Sequence, residues 1–153
     1  MANRLTEEED ARHVPSQKNY CFGCGVDNPD GMQLKFTFDE AGGRVLCRAR
    51  LDRRYTGPPG YCHGGITAVL LDEIMAKLNK LHNVTAVTYE MTVNYARPVP
   101  LLQTLRMEAR EVKVEGRRRF RSAEILNEQG EVLVRGQGVF VTIDPEKIFA
   151  KNR

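Results

Sequence analysis

The sequence has no long apolar run, no secretory signal and almost no excess of either charge. None of its uncharged stretches approaches the roughly 20 apolar residues that a membrane-spanning helix needs, so no membrane partner is predicted. The first residues, MANRLTEEEDARH, lack the apolar centre of a signal peptide, which favours a cytoplasmic protein. In that reducing compartment the four cysteines are expected to be thiols.

The net charge of +3 comes from 23 basic and 20 acidic residues that are mostly interspersed. Such a mild balance does not predict nucleic acid as a partner. The densest basic stretch is RRRFR at residues 117–121. It is interpreted either as a solvated strand end or as a local contact with phosphates.

The length of 153 residues is enough for one domain with a real core. Residues 20–144 are predicted to form that domain. Residues 1–19 are predicted to be an N-terminal arm or short helix, and residues 145–153 an irregular tail. Glycine and proline mark two loops, CFGCGVDNPDG and RRYTGPPGYCHGG.

Alternating polar and apolar residues predict six strands around one helix. The helical stretch, residues 65–81, is apolar nearly all round and is expected to end near Asn83, so it should be surrounded by protein. Two strands precede it as a hairpin, at residues 32–38 and 45–51. Four strands are expected to follow it as a meander, at residues 84–95, 101–114, 117–126 and 131–143.

This order predicts an α+β fold, in which an antiparallel β-sheet of about six strands wraps around one long central helix. That is the hotdog arrangement. Its open sheet edges and incompletely covered helix predict a dimer joined edge to edge, with a tetramer as a further possibility.

The stretch GYCHGGITAVLLDE, residues 60–73, indicates a candidate site at the start of the helix. A helix N-terminus presents unpaired N–H groups and a partial positive charge. Gly64 and Gly65 let a ligand approach that backbone closely, because neither has a Cβ atom. The N–H of Gly64 is therefore a candidate oxyanion donor, with His63 at the edge of the pocket.

Asp72 is an unusual residue for the interior of an apolar helix, because burying an unpaired charge is costly. Burial should raise its pKa and suit it to general-base or nucleophilic chemistry. The alternative is a hydrogen-bonded structural acid, and Glu73 is expected to form a salt bridge or face a neighbour. The residues around Asp72 are apolar: Leu70, Leu71, Ile74 and Met75.

Eight residues separate Gly64 from Asp72, which is about 12 Å along a helix. One carbonyl group cannot contact both residues of the same helix. Two antiparallel helices related by a two-fold axis would place Asp72 of one chain opposite Gly64 of the other. The sequence therefore predicts a site that two chains build together.

The motif HGGITAVLLDE resembles HGGxxAxLLDE of the PaaI-like branch of the hotdog acyl-CoA thioesterases. CFGCGVDNPDGMQLKF and VTYEMTVNYARPVPL are similar to other segments of that superfamily, so the resemblance covers about residues 20–144. It implies hydrolysis of an acyl-CoA to a free acid and CoA. This chemistry requires neither a metal nor an organic cofactor.

The resemblance also implies roles for individual residues. Asp72 would be the catalytic carboxylate, Gly64 would polarise the thioester carbonyl, and His63 would shape the site. Thr88 would orient the water; otherwise it is an ordinary strand residue. Two further groups would contact CoA: Asn94, Tyr95 and Arg97 along its arm, and Arg117 and Arg118 at its phosphates.

The sequence departs from the family at one position. Many relatives carry an amide side chain six residues before the histidine, where this chain has Gly57. Either the loop has a different shape or another group, such as Thr56, replaces the amide.

Three alternatives stay open at this point. Cys21 and Cys24 have the spacing of a zinc knuckle, and one alternative is a zinc site that they form with Cys62 and His63, although adjacent residues seldom bind one ion well. Packing of a loop near the pocket is the favoured explanation of Cys21 and Cys24. A hotdog protein can also bind acyl-CoA without catalysis, or carry out hydratase-like chemistry with His63 and Asp72 paired across a dimer.

Overall fold

A computed structural model describes residues 18–149 of the chain. The chain divides into two compact units, Met1–Gln33 and Leu34–Arg153. Nearly all of the predicted N-terminal arm lies outside the described residues. The described part of the first unit is a series of turns, as the glycines and prolines predict, closed by hydrogen bonds such as that from the Met32 N–H to the Phe22 carbonyl.

The second unit contains the predicted six-stranded antiparallel sheet. The strands are β1 (Phe36–Asp39), β2 (Arg44–Arg50), β3 (Ala86–Tyr95), β4 (Thr104–Glu115), β5 (Arg118–Leu126) and β6 (Val132–Thr142). Their order across the sheet is β1-β2-β4-β5-β6-β3. This confirms the α+β hotdog arrangement and leaves β1 and β3 at the two edges.

The predicted meander of four strands is wrong for β3. This strand pairs with β6, from Ala86 opposite Thr142 to Tyr95 opposite Val134, whereas β4 pairs with β2. The chain after β3 therefore crosses to the far side of the sheet. Alternation along a strand predicts which face is buried, but it does not determine which strand becomes the neighbour.

Two predicted ends also differ from the structure. The first strand begins at Phe36 rather than at residue 32, because Gln33 has φ 49° in the left-handed region and interrupts the extended chain. The predicted irregular tail contains a short helix, Pro145–Phe149. Asp144 caps it by accepting from the Glu146 N–H, and Pro145 suits its first turn.

The central helix is formed by α1 (Gly64–Ala76) and α2 (Leu78–Leu81). Lys77 between them keeps right-handed backbone angles, so the predicted stretch 65–81 is helical with one irregular turn. Asn83, at φ 51°, follows its end. Among residues 18–149, no helix combines the length and apolar character needed to cross a membrane.

Glycines in β6 bring α1 close to the sheet. A Cβ atom on Gly136 would lie 3.1 Å from a methyl carbon of Leu71, and one on Gly138 would lie 3.2 Å from the sulfur of Met75. Both of those helix residues are fully buried. A larger residue at position 136 would press on the helix, and one at position 138 would also meet the Phe140 ring, 2.8 Å from the added Cβ atom.

A buried ion pair fixes the end of α1. Arg121 on β5 is fully buried and lies opposite Glu111 on β4, with 3.1 Å between Nε and the carboxylate. Its Nη1 donates to the Met75 carbonyl at 2.9 Å, and its guanidinium lies over the Phe140 ring. Burial lowers the pKa of Arg121, while the bond to Glu111 opposes that shift.

Replacing Glu111 by Gln should lower the free energy of unfolding by about 3 kcal/mol, because the buried Arg121 charge loses its counter-ion. Urea denaturation of wild type and variant measures this difference. Glu124→Gln is the matched control, since its pair with Arg135 is exposed and is worth about 0–1 kcal/mol. Equal losses in the two variants would contradict a stabilising role for the buried pair.

Candidate active site

His63 caps the N-terminus of α1. Its backbone is extended, and its Nδ1 accepts a hydrogen bond from the Gly65 N–H at 2.9 Å. A Cβ atom on Gly65 would lie 3.1 Å from Nδ1, so glycine keeps the ring close. The Gly65 N–H is thus used by the cap. Among the described residues the Gly64 N–H has no hydrogen-bond partner, which leaves it available to a ligand.

Tyr95 fixes the same turn from strand β3. Its hydroxyl donates to the Gly64 carbonyl at 2.7 Å. The sequence placed Tyr95 along the CoA arm; the structure gives it a contact with the helix start that the sequence did not predict. The bond holds the Gly64 peptide group from one side, so its geometry does not depend on the helix alone.

The loop before His63 has no room for the amide side chain found in many relatives. A Cβ atom on Gly57 would lie 2.7 Å from the His63 Cα atom. Thr56 does not replace that amide within this chain, because its hydroxyl donates to the Arg53 carbonyl at 2.6 Å. The loop therefore has a different shape, which is the first of the two explanations for Gly57 given above.

Asp72 and Thr88 are joined by a short hydrogen bond. The Thr88 hydroxyl donates to Oδ1 of Asp72 at 2.6 Å. Within this one chain Asp72 is half-buried, so apolar residues of its own chain do not fully enclose the carboxylate. The fully buried Leu71 points into the sheet, whereas Asp72 turns toward the exposed edge strand β3. Glu73 lies 3.3 Å from Lys77, as expected for a salt bridge.

A β-bulge at Tyr89 allows two side chains of β3, Thr88 and Tyr95, to contact the same helix. In a regular strand, residues seven apart such as Thr88 and Tyr95 point to opposite faces. The register with β6 shifts between Thr88 and Glu90, so the strand changes parity there. Thr88 can then reach Asp72 while Tyr95 reaches Gly64. Bulges commonly redirect side chains in this way beside active sites.

A groove of about 590 Å³ lies beside Thr88 and contains Tyr89, Arg117 and Arg118. The Arg118 guanidinium lies 5.4 Å from the centre of the Tyr89 ring, and Nε of Arg117 donates to the Thr142 carbonyl. Tyr89 is not among the site residues that the sequence predicts. The one feature that could have indicated it is a large aromatic side chain in a strand at the edge of the sheet.

The predicted site residues thus fall into two groups along α1. Arg117 and Arg118 share the groove that Thr88 lines, at the Asp72 end. Asn94 is exposed on β3 next to Tyr95, at the Gly64 end, and Arg97 pairs with Glu131 at 2.9 Å.

Hydrogen bonds within the chain already use the Cys62 thiol and one ring nitrogen of His63, two groups that could bind a zinc ion. The buried Cys62 thiol donates to the His63 carbonyl, and burial raises the pKa of that thiol. Nδ1 of His63 is used by the helix cap. An ion at this pair would have to use Nε2 of the ring and a thiolate that burial disfavours. In the first unit, Cys21 is exposed and Cys24 is half-buried.

The model of the thioesterase superfamily matches residues 59–134, which include both groups. The chain belongs to the thioesterase superfamily. It is 27% identical over 118 residues to acyl-coenzyme A thioesterase THEM4 of Rattus norvegicus, across 76% of this chain and 51% of that relative. The chain therefore spans about half the length of this curated relative.

Two further members are similar over more of their own length. Human acyl-coenzyme A thioesterase 13 is 29% identical over 100 residues, across 63% of this chain and 71% of that protein. A crystal structure of a thioesterase superfamily protein matches with a TM-score of 0.79 and 27% identity, across 88% of this chain and 71% of the other. The superfamily member described here thus shares its fold with that structure over most of its length.

His63→Ala should lower the free energy of unfolding by about 1 kcal/mol, because the Gly65 N–H loses its cap. His63→Asn should recover most of that loss, since asparagine is a strong N-cap residue. Chemical denaturation of the three proteins measures both changes. A His63→Asn protein no more stable than His63→Ala would show that capping is not what the ring contributes.

Proposed function

We propose that this superfamily member hydrolyses the thioester of an acyl-CoA, releasing a free acid and CoA. The observation that carries the proposal is the bond between Thr88 and Asp72 on a helix whose N-terminus keeps the Gly64 N–H available. Membership of the superfamily and the printed activity of the relatives support it. A protein that only binds acyl-CoA would not need a carboxylate held by a hydroxyl group.

We propose further that the site is completed by a second copy of the chain. Gly64 and Asp72 are about 12 Å apart along one helix, which is too far for one carbonyl group. Within residues 18–149, β3 pairs only with β6, so its outer edge has no partner strand. Val87 and Tyr89 on this strand are exposed. These features support antiparallel pairing of β3 with its copy.

The two-fold relation follows from the order of contacts along β3. Thr88 marks the Asp72 end of the strand, and Tyr95 marks the Gly64 end. Antiparallel pairing would align position 88 of one strand with position 95 of its copy. Asp72 of one subunit would then face the partner subunit's Gly64, giving two equivalent sites per dimer. Association of two such dimers into a tetramer would leave this arrangement unchanged.

The chemistry assigned to this site balances as a hydrolysis. A water oxygen attacks the thioester carbon, Asp72 takes the water proton, and the partner subunit's Gly64 N–H stabilises the developing oxyanion. The C–S bond then breaks, and the thiolate leaves with a proton as CoA. Direct attack by Asp72 would give the same products through an anhydride that water then cleaves.

Thr88 would orient the attacking water. Because its hydroxyl hydrogen is donated to Oδ1 of Asp72, its oxygen lone pairs remain able to accept a hydrogen bond. One water molecule can therefore donate to both Thr88 and the carboxylate. Without Thr88, Asp72 could not hold that water in a single orientation.

The CoA moiety would be held by residues from both groups. Arg117 and Arg118 line the groove beside Thr88, where their guanidinium groups suit phosphate contacts. Asn94 and Arg97 of the partner subunit would line the arm. Hydratase-like chemistry would need His63 as an acid or base, and its Nδ1 is already used in the helix cap.

Asp72→Asn should reduce the rate of thiol release from acyl-CoA at least about a hundredfold, because the base or nucleophile is lost. The assay uses a panel of acyl chains of different length and aromatic content. Glu73→Gln is the matched control, since this neighbouring acid pairs with Lys77. It should stay within about threefold of wild type. Undiminished activity in Asp72→Asn, or no thiol release by wild type from any substrate, would refute the proposal.

Mixed dimers test whether two chains build the site. Gly64→Pro removes the candidate N–H donor from the first position of α1, where proline is well tolerated, and His63 already has the extended backbone that precedes proline. Gly64→Pro and Asp72→Asn homodimers should both be nearly inactive. After subunit exchange, activity should return to about a quarter of wild type, since half of the dimers are mixed and each has one intact site.

The control is a mixture in which both chains carry Asp72→Asn and only one carries Gly64→Pro, which should stay inactive. A site contained within one chain predicts no recovery in either mixture. Recovery in the first mixture alone would support catalysis across the interface.

A further inference from the structure

The outer face of the sheet, opposite α1, carries a groove of about 530 Å³ formed by β1, β2 and β4 with the end of β5. Buried residues on alternate positions, such as Cys47 and Met107, mark the face that packs on the helix. The residues between them point to the groove. Six of the residues that line it matter here: Lys35, Leu46, Arg48, Arg106, Glu108 and Leu126.

Three cations in this groove have no acidic partner among residues 18–149. Lys35, Arg48 and Arg106 are exposed and form no ion pair or side-chain hydrogen bond within that part of the chain. The one carboxylate in the groove, Glu108, is already paired with Arg44 and with Arg110. The groove therefore keeps an excess of positive charge.

The arrangement of two of these cations opposes folding. Arg48 on β2 and Arg106 on β4 are direct cross-strand partners, so their Cβ atoms are about 5 Å apart. Like charges at such positions destabilise a sheet. The two adjacent outer-face pairs avoid this problem, since Arg50 lies opposite Thr104 and Leu46 lies opposite Glu108. Arg44 also lies opposite an arginine, Arg110, but both of them pair with Glu108. Two like charges placed opposite one another with no acidic partner between them are typical of a functional position.

We propose that this groove binds the phosphate group of a small soluble ligand. Arg48 and Arg106, side by side on adjacent strands, would clasp one phosphate group between their guanidinium groups, and Lys35 would add a third charge. The half-buried Leu46 and Leu126 would contact an apolar part of the same ligand. A phosphate monoester with an apolar or aromatic body fits this combination.

The charges around the groove favour a small ligand over a membrane surface. Glu108 and Glu124 are cross-strand partners on the same outer face. A flat layer of anionic headgroups would meet both carboxylates together with the cations. A single phosphate seated between Arg48 and Arg106 does not have to approach Glu124. This site is separate from Asp72, so it does not depend on the proposed hydrolysis.

Calorimetric titration with phenyl phosphate and with inorganic phosphate tests the proposal. The proteins are wild type, Arg48→Gln, Arg106→Gln and the control Arg50→Gln, which removes the same charge from the same face of β2 outside the groove. Phenyl phosphate should bind wild type more tightly than inorganic phosphate. Either groove variant should lose about tenfold or more in affinity, while Arg50→Gln should stay within about twofold.

Thermal unfolding without phosphate gives an independent readout. Arg106→Gln should unfold at the same temperature as wild type or higher, because the repulsion with Arg48 is removed. Unfolding at a lower temperature would overturn the argument from like charges. Equal phosphate affinity in Arg106→Gln and Arg50→Gln, or no binding by wild type, would overturn the site. If the protein cosediments with phosphatidic acid vesicles but does not bind phenyl phosphate, the proposal that the ligand is a small soluble molecule is overturned.

Discussion

Helix α1 lies close to strand β6 because Gly136 and Gly138 present no side chains to it. The rest of the candidate site depends on this close approach. It drives Leu71 and Met75 into the sheet, and this fixes the rotation of the helix about its axis. With that rotation fixed, Asp72 faces the edge strand β3 rather than the core. The carboxylate is half-buried for this reason, although its sequence neighbours are among the most buried residues described.

The helix is then held at both ends. At its start, the His63 ring and the Tyr95 hydroxyl bind the N–H and the carbonyl of one peptide group, the one between Gly64 and Gly65, while Gly64 keeps its own N–H available. Near its end, the Met75 carbonyl accepts from Arg121, whose charge is balanced by Glu111. These contacts leave the helix little freedom to slide along the sheet. The proposed site, in which the carboxylate and the N–H donor come from two chains, would require that rigidity.

Arginine is used in opposite ways on the two faces of the sheet. On the helix face, Arg121 is fully buried and is balanced by a carboxylate, a carbonyl and an aromatic ring. On the outer face, Arg48 and Arg106 face one another with no acid between them in the described chain. The first arrangement is what a buried charge needs for stability. The second has no such explanation within one folded chain, which is why a ligand accounts for it best.

Alternation and turn residues determined the number and type of strands, the apolar central helix and its start at the glycines, because these features follow from local chemistry. An acid within an apolar helix indicated Asp72 in the same way, whereas only the resemblance to the family indicated Thr88. The neighbour of β3 was not predictable, since strand pairing depends on contacts distant in sequence. The short C-terminal helix was not predicted, although Asp144 followed by Pro145 is typical of a helix start.

The contacts of the site itself were decided by the tertiary structure. The bulge at Tyr89 changes the parity of β3, so Thr88 and Tyr95 meet the same helix although regular alternation separates them. The half-burial of Asp72 follows from the rotation of α1, which the packing on β6 sets. The repulsive pair of Arg48 and Arg106 appears only in the strand register. The sequence by itself indicated the candidate site residues, and long-range packing decided where each of them points, because side-chain direction depends on partners far along the chain.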